Sequence, residues 1–248
     1  MGKTKKLRAI DLFAGIGGIR IGFESAGFET VYANDFDKKA AETYRSNFGE
    51  IDESNLFEVI NKGTKNIPKK FDILLGGFPC QPFSMAGHRR GFADKDRGNL
   101  LFGVIKILKS RKPDAVFLEN VKYLKNHDDE KTFKRIQEEL KNAGYDIKAE
   151  VLNSAKYGNV PQTRERIYIV GFRSPRKLMK FHFPNEIPLT KTMSNMLEKN
   201  VDSRYYYDER YSTVYPRLEA TIARRDRFYQ YRRVYVRENK SGLCPTLT

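Results

Sequence analysis

The chain is poor in residues that crosslink a fold or coordinate metals, and it has no long apolar run. Its 248 residues contain two cysteines, Cys80 and Cys244, which lie 164 positions apart. That spacing fits neither a disulfide framework nor a zinc site, so we expect no metal and a reducing cytoplasm. No apolar stretch approaches the ~20 residues of a membrane-spanning helix, so we expect no membrane partner.

Positive charge is in excess. Lys and Arg number 46 against 31 Asp and Glu, which gives a formal charge of +15. This balance favours a polyanionic partner such as nucleic acid, although a solvated basic surface would explain the total equally well. Residues 204–237 hold nine Arg, eight Tyr and no Lys. Arg and Tyr suit base edges, phosphates and stacking, which favours nucleic acid over the alternative of a protein interface.

Short β-rich runs alternate with amphipathic stretches from residue 7 to about 173. The predicted strands are LRAIDLF, TVYAND, FDILLGG, DAVFLENV, YDIKAEVL and RIYIVGF. Helical spacing recurs between them, from Leu100 to Leu108 and from Phe133 to Ala143. The sequence therefore predicts an α/β fold, a mostly parallel twisted sheet with helices on both faces.

The texture changes after Phe183, where Pro184 and Pro188 are typical of a linker. We expect one domain over residues 1–183. Residues 184–248 are then a linker and part of a second, smaller domain.

A glycine-rich turn follows the first predicted strand, in DLFAGIGGIR. Gly15, Gly17 and Gly18 would let the backbone turn tightly beside a ligand, although tight βα turns also use glycine for packing alone. The second strand ends in Asn34-Asp35, where a carboxylate could accept hydrogen bonds from a ribose. No phosphate-cradling GxxxxGK[ST] loop is present. Together these features favour a nucleoside-containing cofactor.

The segment GGFPCQPFS, residues 76–84, sets Cys80 between prolines directly after an apolar run. A strand that ends in a rigid Pro-Cys-Gln-Pro turn would hold a thiol at the carboxyl edge of a sheet, where open α/β folds bind ligands. A lone cysteine is more often a small buried hydrophobe than a nucleophile. The segment alone leaves both interpretations open.

Four motifs in order, DLFAGIGG, GFPCQPFS, LENV and QTRERIYIVG, make the chain resemble the DNA cytosine C5-methyltransferase family. The resemblance covers roughly residues 7–173, and more weakly the remainder. It implies that residues 1–183 form the catalytic domain and that residues 184–248 are a linker and part of a small target-recognition domain. It implies a Rossmann-like domain that binds S-adenosylmethionine and methylates a flipped-out cytosine in duplex DNA.

The resemblance also implies the catalytic residues: Cys80 as the nucleophile that adds at C6, Glu119 as the acid toward N3, and Arg164 and Arg166 in support. Arg164 and Arg166 alternate in QTRERIY, so we expect them on one strand with both side chains on the same face.

The resemblance further implies which residues bind the cofactor and the DNA. The cofactor residues are Phe13, Gly15, Ile16, Gly18, Asp35, Phe36, Asn55, Leu56, Pro79 and Leu100. Asp35 replaces the family's usual Glu, and Asn55 replaces its usual Asp. The basic, glycine-punctuated stretch 84–99 resembles a mobile loop that closes over DNA. The DNA-binding candidates are Gln81, Ser84, Arg89, Arg90, Arg97, Arg224, Arg225, Arg227, Arg232 and Arg233.

The family's pattern continues beyond the motifs found in this chain. We therefore expect this chain to be the larger subunit of a split, two-chain enzyme of a bacterial restriction–modification system. A smaller second subunit would supply the missing parts. A truncated chain is the alternative. Two other functions stay open, an RNA (tRNA) cytosine methyltransferase and a catalytically silent DNA-binding subunit.

Overall fold

The computed structural model of the protein describes residues 5–61, 63–79, 100–224 and 227–246. The chain divides into two compact units. The first comprises Met1–Val151 and Arg166–Phe183, and the second comprises Leu152–Glu165 and Pro184–Thr248. Residues 152–165 thus belong with the second unit, although they precede the predicted linker.

The regular elements alternate as strands and helices through most of the first unit. The strands are β1 (Arg8–Leu12), β2 (Glu29–Asn34), β3 (Ile73–Gly76), β4 (Ala115–Val121), β5 (Asp146–Asn153), β6 (Gln162–Thr163), β7 (Glu165–Phe172), β8 (Phe228–Arg232), β9 (Tyr235–Asn239) and β10 (Cys244–Pro245). The helices are α1 (Gly18–Ser25), α2 (Lys38–Phe48), α3 (Leu56–Asn61), α4 (Leu100–Arg111), α5 (Lys131–Asn142), α6 (Ser154–Tyr157), α7 (Pro175–Lys180) and α8 (Tyr215–Thr221).

Six strands form the central sheet in the order β2-β1-β3-β4-β7-β5. The pairs β1–β2, β1–β3 and β3–β4 are parallel, whereas β7 runs antiparallel to β4. All six strands predicted from the sequence are present, as are the helices predicted from Leu100 and Phe133. The predicted mostly parallel α/β fold is confirmed.

Apolar side chains alternate between the two faces of the sheet and meet different helices. Ile10, Leu12 and Leu74 share one hydrophobic cluster with residues of α3, α4 and α5. Ala9, Ile73 and Leu75 point to the other face, where Ile19 and Phe23 of α1 pack. Burial on both faces explains why these strands are almost continuously apolar in sequence.

The second unit contains two small β pairs. β8 and β9 form an antiparallel hairpin, and β10 pairs in parallel with β6. The sequence analysis did not predict the hairpin. Residues 181–192 form neither helix nor strand. Within the described ranges, no helix has the length and apolar character needed to cross a membrane.

Candidate functional site

Strands β1 to β4 are parallel, so their carboxyl ends meet at one edge of the sheet, where open α/β folds bind ligands. At this edge the glycine turn leaves β1 and Asp35 follows β2. Phe78 and Pro79 follow β3, and Glu119 and Asn120 lie near the end of β4. The topology alone therefore gathers the motifs singled out in the sequence.

The glycine turn adopts left-handed backbone at three positions. Phe13, Gly15 and Gly17 have φ values of 57°, 55° and 92°. Glycine is required at Gly17, because a Cβ there would lie 2.2 Å from Cε2 of Phe48. A Cβ on Gly15 would meet no atom within 4 Å, so the turn is open at that position. Phe13 adopts the left-handed backbone conformation, which is strained for a bulky residue. Backbone strain of this kind is common at ligand-binding sites.

Asp35 braces this turn. Its Oδ2 accepts a hydrogen bond from the Gly15 amide at 2.8 Å, and its Oδ1 accepts one from the Asp37 amide at 2.9 Å. Two apolar side chains nearby in sequence stand in solvent, since Ile16 is 61% and Phe36 58% exposed. A carboxylate flanked by exposed apolar side chains has the chemistry to take a nucleoside, with hydroxyls at one end and a flat ring at the other.

Asp11 was missed by the sequence analysis. This β1 residue is 0% exposed, and neither carboxylate oxygen has a hydrogen-bond partner within the described part of the chain. Burial raises the pKa of Asp11 to about 7, while the charge of Arg20 acts to lower it and that of Asp35 to raise it. An unpaired buried carboxylate is costly, and a cationic ligand group would remove that cost. The signal was present in the sequence, as an acid inside the apolar strand RAIDL.

The other predicted cofactor residues occupy different environments. Oδ1 of Asn55 accepts a hydrogen bond from the Phe57 amide at 3.0 Å, so this oxygen is engaged at the start of α3. Leu56 and Leu100 are buried in the main hydrophobic cluster. Gly18 is exposed at the start of α1, and Pro79 is half-buried after β3.

Glu119 and Arg166 are brought together across the antiparallel β4–β7 pair. Nε of Arg166 lies 3.0 Å from Oε1 of Glu119, and both side chains are largely buried. A Cβ on Gly77 would lie 3.5 Å from Oε2 of Glu119, so the chain that leads toward Cys80 passes beside this carboxylate. Asn120 holds the same segment, because its Nδ2 donates to the Phe78 carbonyl at 3.0 Å.

Arg164 is placed differently from the prediction that it shares one strand with Arg166, and that prediction is wrong. It lies between β6 and β7, and its amide donates to the Gln162 carbonyl at 3.1 Å. This local bond interrupts the strand, so alternation no longer fixes the side-chain direction. Within the second unit, β10 pairs with β6 just before Arg164, and the Thr246 hydroxyl donates to the Thr163 carbonyl at 2.8 Å.

The arginines proposed for DNA divide into two groups. Arg227 is engaged within the second unit, where its guanidinium lies 3.8 Å from Glu238 and donates to the Lys240 carbonyl. The Arg224 amide donates to the Tyr229 hydroxyl at 3.2 Å. Arg232 and Arg233, in contrast, are exposed at the tip of the hairpin.

Several predicted site residues lie outside the described residues: Cys80, Gln81, Ser84, Arg89, Arg90, Arg97 and Arg225. Among the residues that are described, no His, Cys, Asp and Glu side chains gather in a group able to hold a metal ion.

Comparison with known proteins gives a consistent set of similarities. A family model described as C-5 cytosine-specific DNA methylase matches residues 7–245. The Type II methyltransferase M.Bsp6I of Bacillus sp. (strain RFL6) is 48% identical over 245 residues, which cover 98% of this chain and 77% of that protein. M.HhaI of Haemophilus parahaemolyticus is 44% identical over 191 residues, 77% of this chain and 57% of that protein.

Solved structures show the same fold at low identity. The Entamoeba histolytica methyltransferase EhMeth superposes with a TM-score of 0.65 at 22% identity, over 87% of this chain and 67% of that chain. The S. pombe Dnmt2 methyltransferase gives a TM-score of 0.62 at 20% identity, over 86% and 67%.

Alanine substitutions in the glycine turn separate steric clash from backbone strain. Gly17→Ala is expected to lower the free energy of unfolding by about 2 kcal/mol or more, since it combines the Phe48 clash with a left-handed φ. Gly15→Ala carries the φ strain alone and should cost about 1 kcal/mol. Gly18→Ala, with neither, should change stability by about 0.5 kcal/mol or less. Urea unfolding measures all three, and equal losses for Gly17→Ala and Gly15→Ala would contradict the packing described.

Proposed function

Since the chain belongs to the C-5 cytosine-specific DNA methylase family, we propose that it transfers a methyl group from S-adenosylmethionine to C5 of cytosine in duplex DNA. The observation that carries the proposal is the meeting of the Glu119–Arg166 pair with the Gly77–Pro79 segment at the sheet edge that also holds the glycine turn. Its curated relatives are named Type II methyltransferases, and we propose the modification half of such a restriction–modification system.

The chemistry requires a nucleophile and a proton donor on one base. In the proposed mechanism the Cys80 thiolate adds to C6, which makes C5 nucleophilic while Glu119 hydrogen-bonds or protonates N3. Arg166 orients Glu119 through the 3.0 Å contact. S-adenosylmethionine supplies an electrophilic methyl group. Loss of the C5 proton then expels the thiolate and restores the aromatic ring. Access to C6 requires that the base be flipped out of the duplex.

The described residues fit the proposed cofactor. S-adenosylmethionine carries an ammonium, a sulfonium and a ribose, and the site offers one unpartnered buried carboxylate at Asp11 and a second carboxylate at Asp35. The glycine turn leaves open space at Gly15 and Gly18. We propose that Asp11 faces the cationic end of the cofactor and that Asp35 faces its ribose.

One face of the β8–β9 hairpin suits DNA. Gln230 pairs with Arg237 and Arg232 with Tyr235, so these four side chains share a face. Nε of Arg232 donates to Oε1 of Gln230 at 2.9 Å along that face. The opposite face is covered, because Arg217 of α8 donates to the Tyr231 hydroxyl at 3.0 Å. A two-stranded ribbon fits the major groove, where Arg and Gln hydrogen-bond base edges.

The covalent step is tested at Cys80. Cys80→Ser should abolish methyl transfer and the denaturation-resistant adduct with 5-fluorocytosine DNA, because a neutral hydroxyl is a far weaker nucleophile than a thiolate. Cys244→Ser is the matched control and should keep activity within about twofold, since the Cys244 Sγ donates to the adjacent Pro245 carbonyl at 3.3 Å, a bond that a serine hydroxyl can also make. Methylation by Cys80→Ser would contradict the mechanism.

The second subunit stays a prediction from the sequence, as does the cytoplasmic location. The assay is therefore run on the chain alone and on the chain co-expressed with the product of the neighbouring reading frame. Full activity of the chain alone would refute the two-chain arrangement without touching the covalent step.

DNA contact by the hairpin is tested at Arg232 and Arg237. If the side chain hydrogen-bonds a base, each Arg→Ala change should weaken duplex binding by about 1–3 kcal/mol. If it contacts a phosphate, the change should reduce the slope of log affinity against log salt concentration by about one. Arg135→Ala, on α5 of the first unit and paired with Glu139 at 2.7 Å, is the control. Affinities for duplex DNA are measured by fluorescence anisotropy at several salt concentrations. Equal values for all three variants would exclude DNA contact by the hairpin.

Binding of S-adenosylmethionine should depend on pH through Asp11. Because its pKa lies at about 7 in the free protein, the cation-binding carboxylate is lost below that pH, and Kd should rise up to about tenfold per unit. Asp11→Asn should bind weakly and without this pH dependence. It should also unfold less readily at pH 8 than wild type, where a buried charge destabilises the fold. A wild-type Kd that is equal at pH 6 and pH 8 would contradict this assignment.

A further inference from the structure

Arg20, in the first turns of α1, is held on three sides. Its Nε lies 2.8 Å from Oε1 of Glu24, and its NH1 donates to the Tyr44 hydroxyl at 2.8 Å. The guanidinium also stacks over the Phe48 ring, 4.7 Å from its centroid. Its side chain is only 16% exposed. A guanidinium that is this enclosed has a fixed position, unlike an ordinary surface arginine.

The Phe48 ring connects Arg20 to the glycine turn. The same ring that lies under the guanidinium occupies the space where a Cβ of Gly17 would stand. Arg20 therefore links α1 to the end of α2 through its contacts with Tyr44 and Phe48, and the Phe48 ring packs against the glycine turn. The backbone that we propose to approach the cofactor rests on this contact.

The charge of Arg20 also acts on Asp11, although the guanidinium makes no hydrogen bond to that carboxylate. The groups that act on the ionisation of Asp11 are Arg20, through its charge and its backbone amide, and Asp35. Tyr44 and Glu24, from α2 and α1, complete the cluster around the guanidinium. The Arg20 amide acts on Asp11 only as a nearby dipole, because neither Asp11 oxygen has a partner within hydrogen-bond geometry among the described residues. The guanidinium is committed to Glu24 and Tyr44, so it stabilises the carboxylate at a distance and leaves its oxygens for a ligand.

We propose that Arg20 is a positioning residue of the cofactor site, which locks the glycine turn through Phe48 and keeps the unpartnered Asp11 charged and open to a cation. The inference rests on the proposed use of S-adenosylmethionine. It assigns Arg20 no contact with the cofactor.

The test measures the Kd of S-adenosylmethionine by calorimetry between pH 6 and pH 9, in wild type and two Arg20 variants. Arg20→Met removes the charge and should move the midpoint of the pH dependence upward by about one unit. Its Kd at pH 7 should rise about fivefold, because the ionised fraction of Asp11 falls from about one half to about one tenth, and the difference should shrink toward pH 9. Arg20→Lys keeps the charge but loses the planar fork, so its midpoint should stay near wild type while Kd rises a few-fold at every pH.

Arg111→Met is the matched control. Arg111 is also a structural arginine, whose NH2 donates to the Thr64 carbonyl at 2.8 Å and hydroxyl at 2.7 Å. It ends α4, just before β4 begins, and so lies at the opposite edge of the sheet from the site. The variant should lower the urea midpoint without moving the pH midpoint of binding.

The outcomes distinguish failure of the proposed function from failure of the role proposed for Arg20. If wild type does not bind S-adenosylmethionine, the proposed function fails. If wild type binds and Arg20→Met weakens Kd by the same factor at every pH, as a loss of packing alone would, the role of Arg20 toward Asp11 is refuted. Should Arg20→Met fail to fold, Arg20→Lys still decides, because it keeps the charge, and a midpoint that moves upward by about one unit in this variant would contradict the proposal.

Discussion

The parallel pairing of β1 through β4 is the constraint on which the rest of the site depends. Parallel strands that are buried on both faces end at one edge, and each of these four strands is followed there by a segment with a separate task. Antiparallel β7 then delivers Arg166 opposite the end of β4, beside Glu119. No single motif creates the site. The register of the sheet brings together residues that are more than a hundred positions apart.

The cofactor side of the site accepts a cost in stability. Among the described residues, Asp11 is buried without a hydrogen-bond partner, and burial raises its pKa because the folded protein disfavours its charge. A protein selected for stability alone would pair or replace such a carboxylate. The charge of Arg20, which Tyr44 and Phe48 hold in place, reduces this cost without a hydrogen bond to the carboxylate. Strain at Phe13 follows the same logic, since its left-handed backbone is held in place by the surrounding turn.

The sequence predicts the sheet well because burial on both faces leaves a strong signal. Runs such as Ile73–Leu75 are apolar at every position, and the apolar residues of the helices between the strands recur at helical spacing. The hairpin escaped prediction because its exposed face carries Arg and Gln and its covered face Tyr, so no alternation of apolar and polar residues marks it. The relation of Arg164 to Arg166 failed for a local reason, a backbone bond from Arg164 to Gln162 that ends one strand before the next begins. The sequence alone does not assign Asp11 a role, because an acid inside an apolar strand also occurs for structural reasons.

The central claim is that this site methylates carbon 5 of cytosine in duplex DNA. The most direct measurement incubates the protein, with its second chain if one is required, with duplex DNA and S-adenosylmethionine labelled in the methyl group. The DNA is then digested to nucleosides, which are identified by mass spectrometry. The account predicts label in 5-methyl-2′-deoxycytidine alone. Label on an exocyclic nitrogen, or label that enters only RNA offered in parallel, would contradict it.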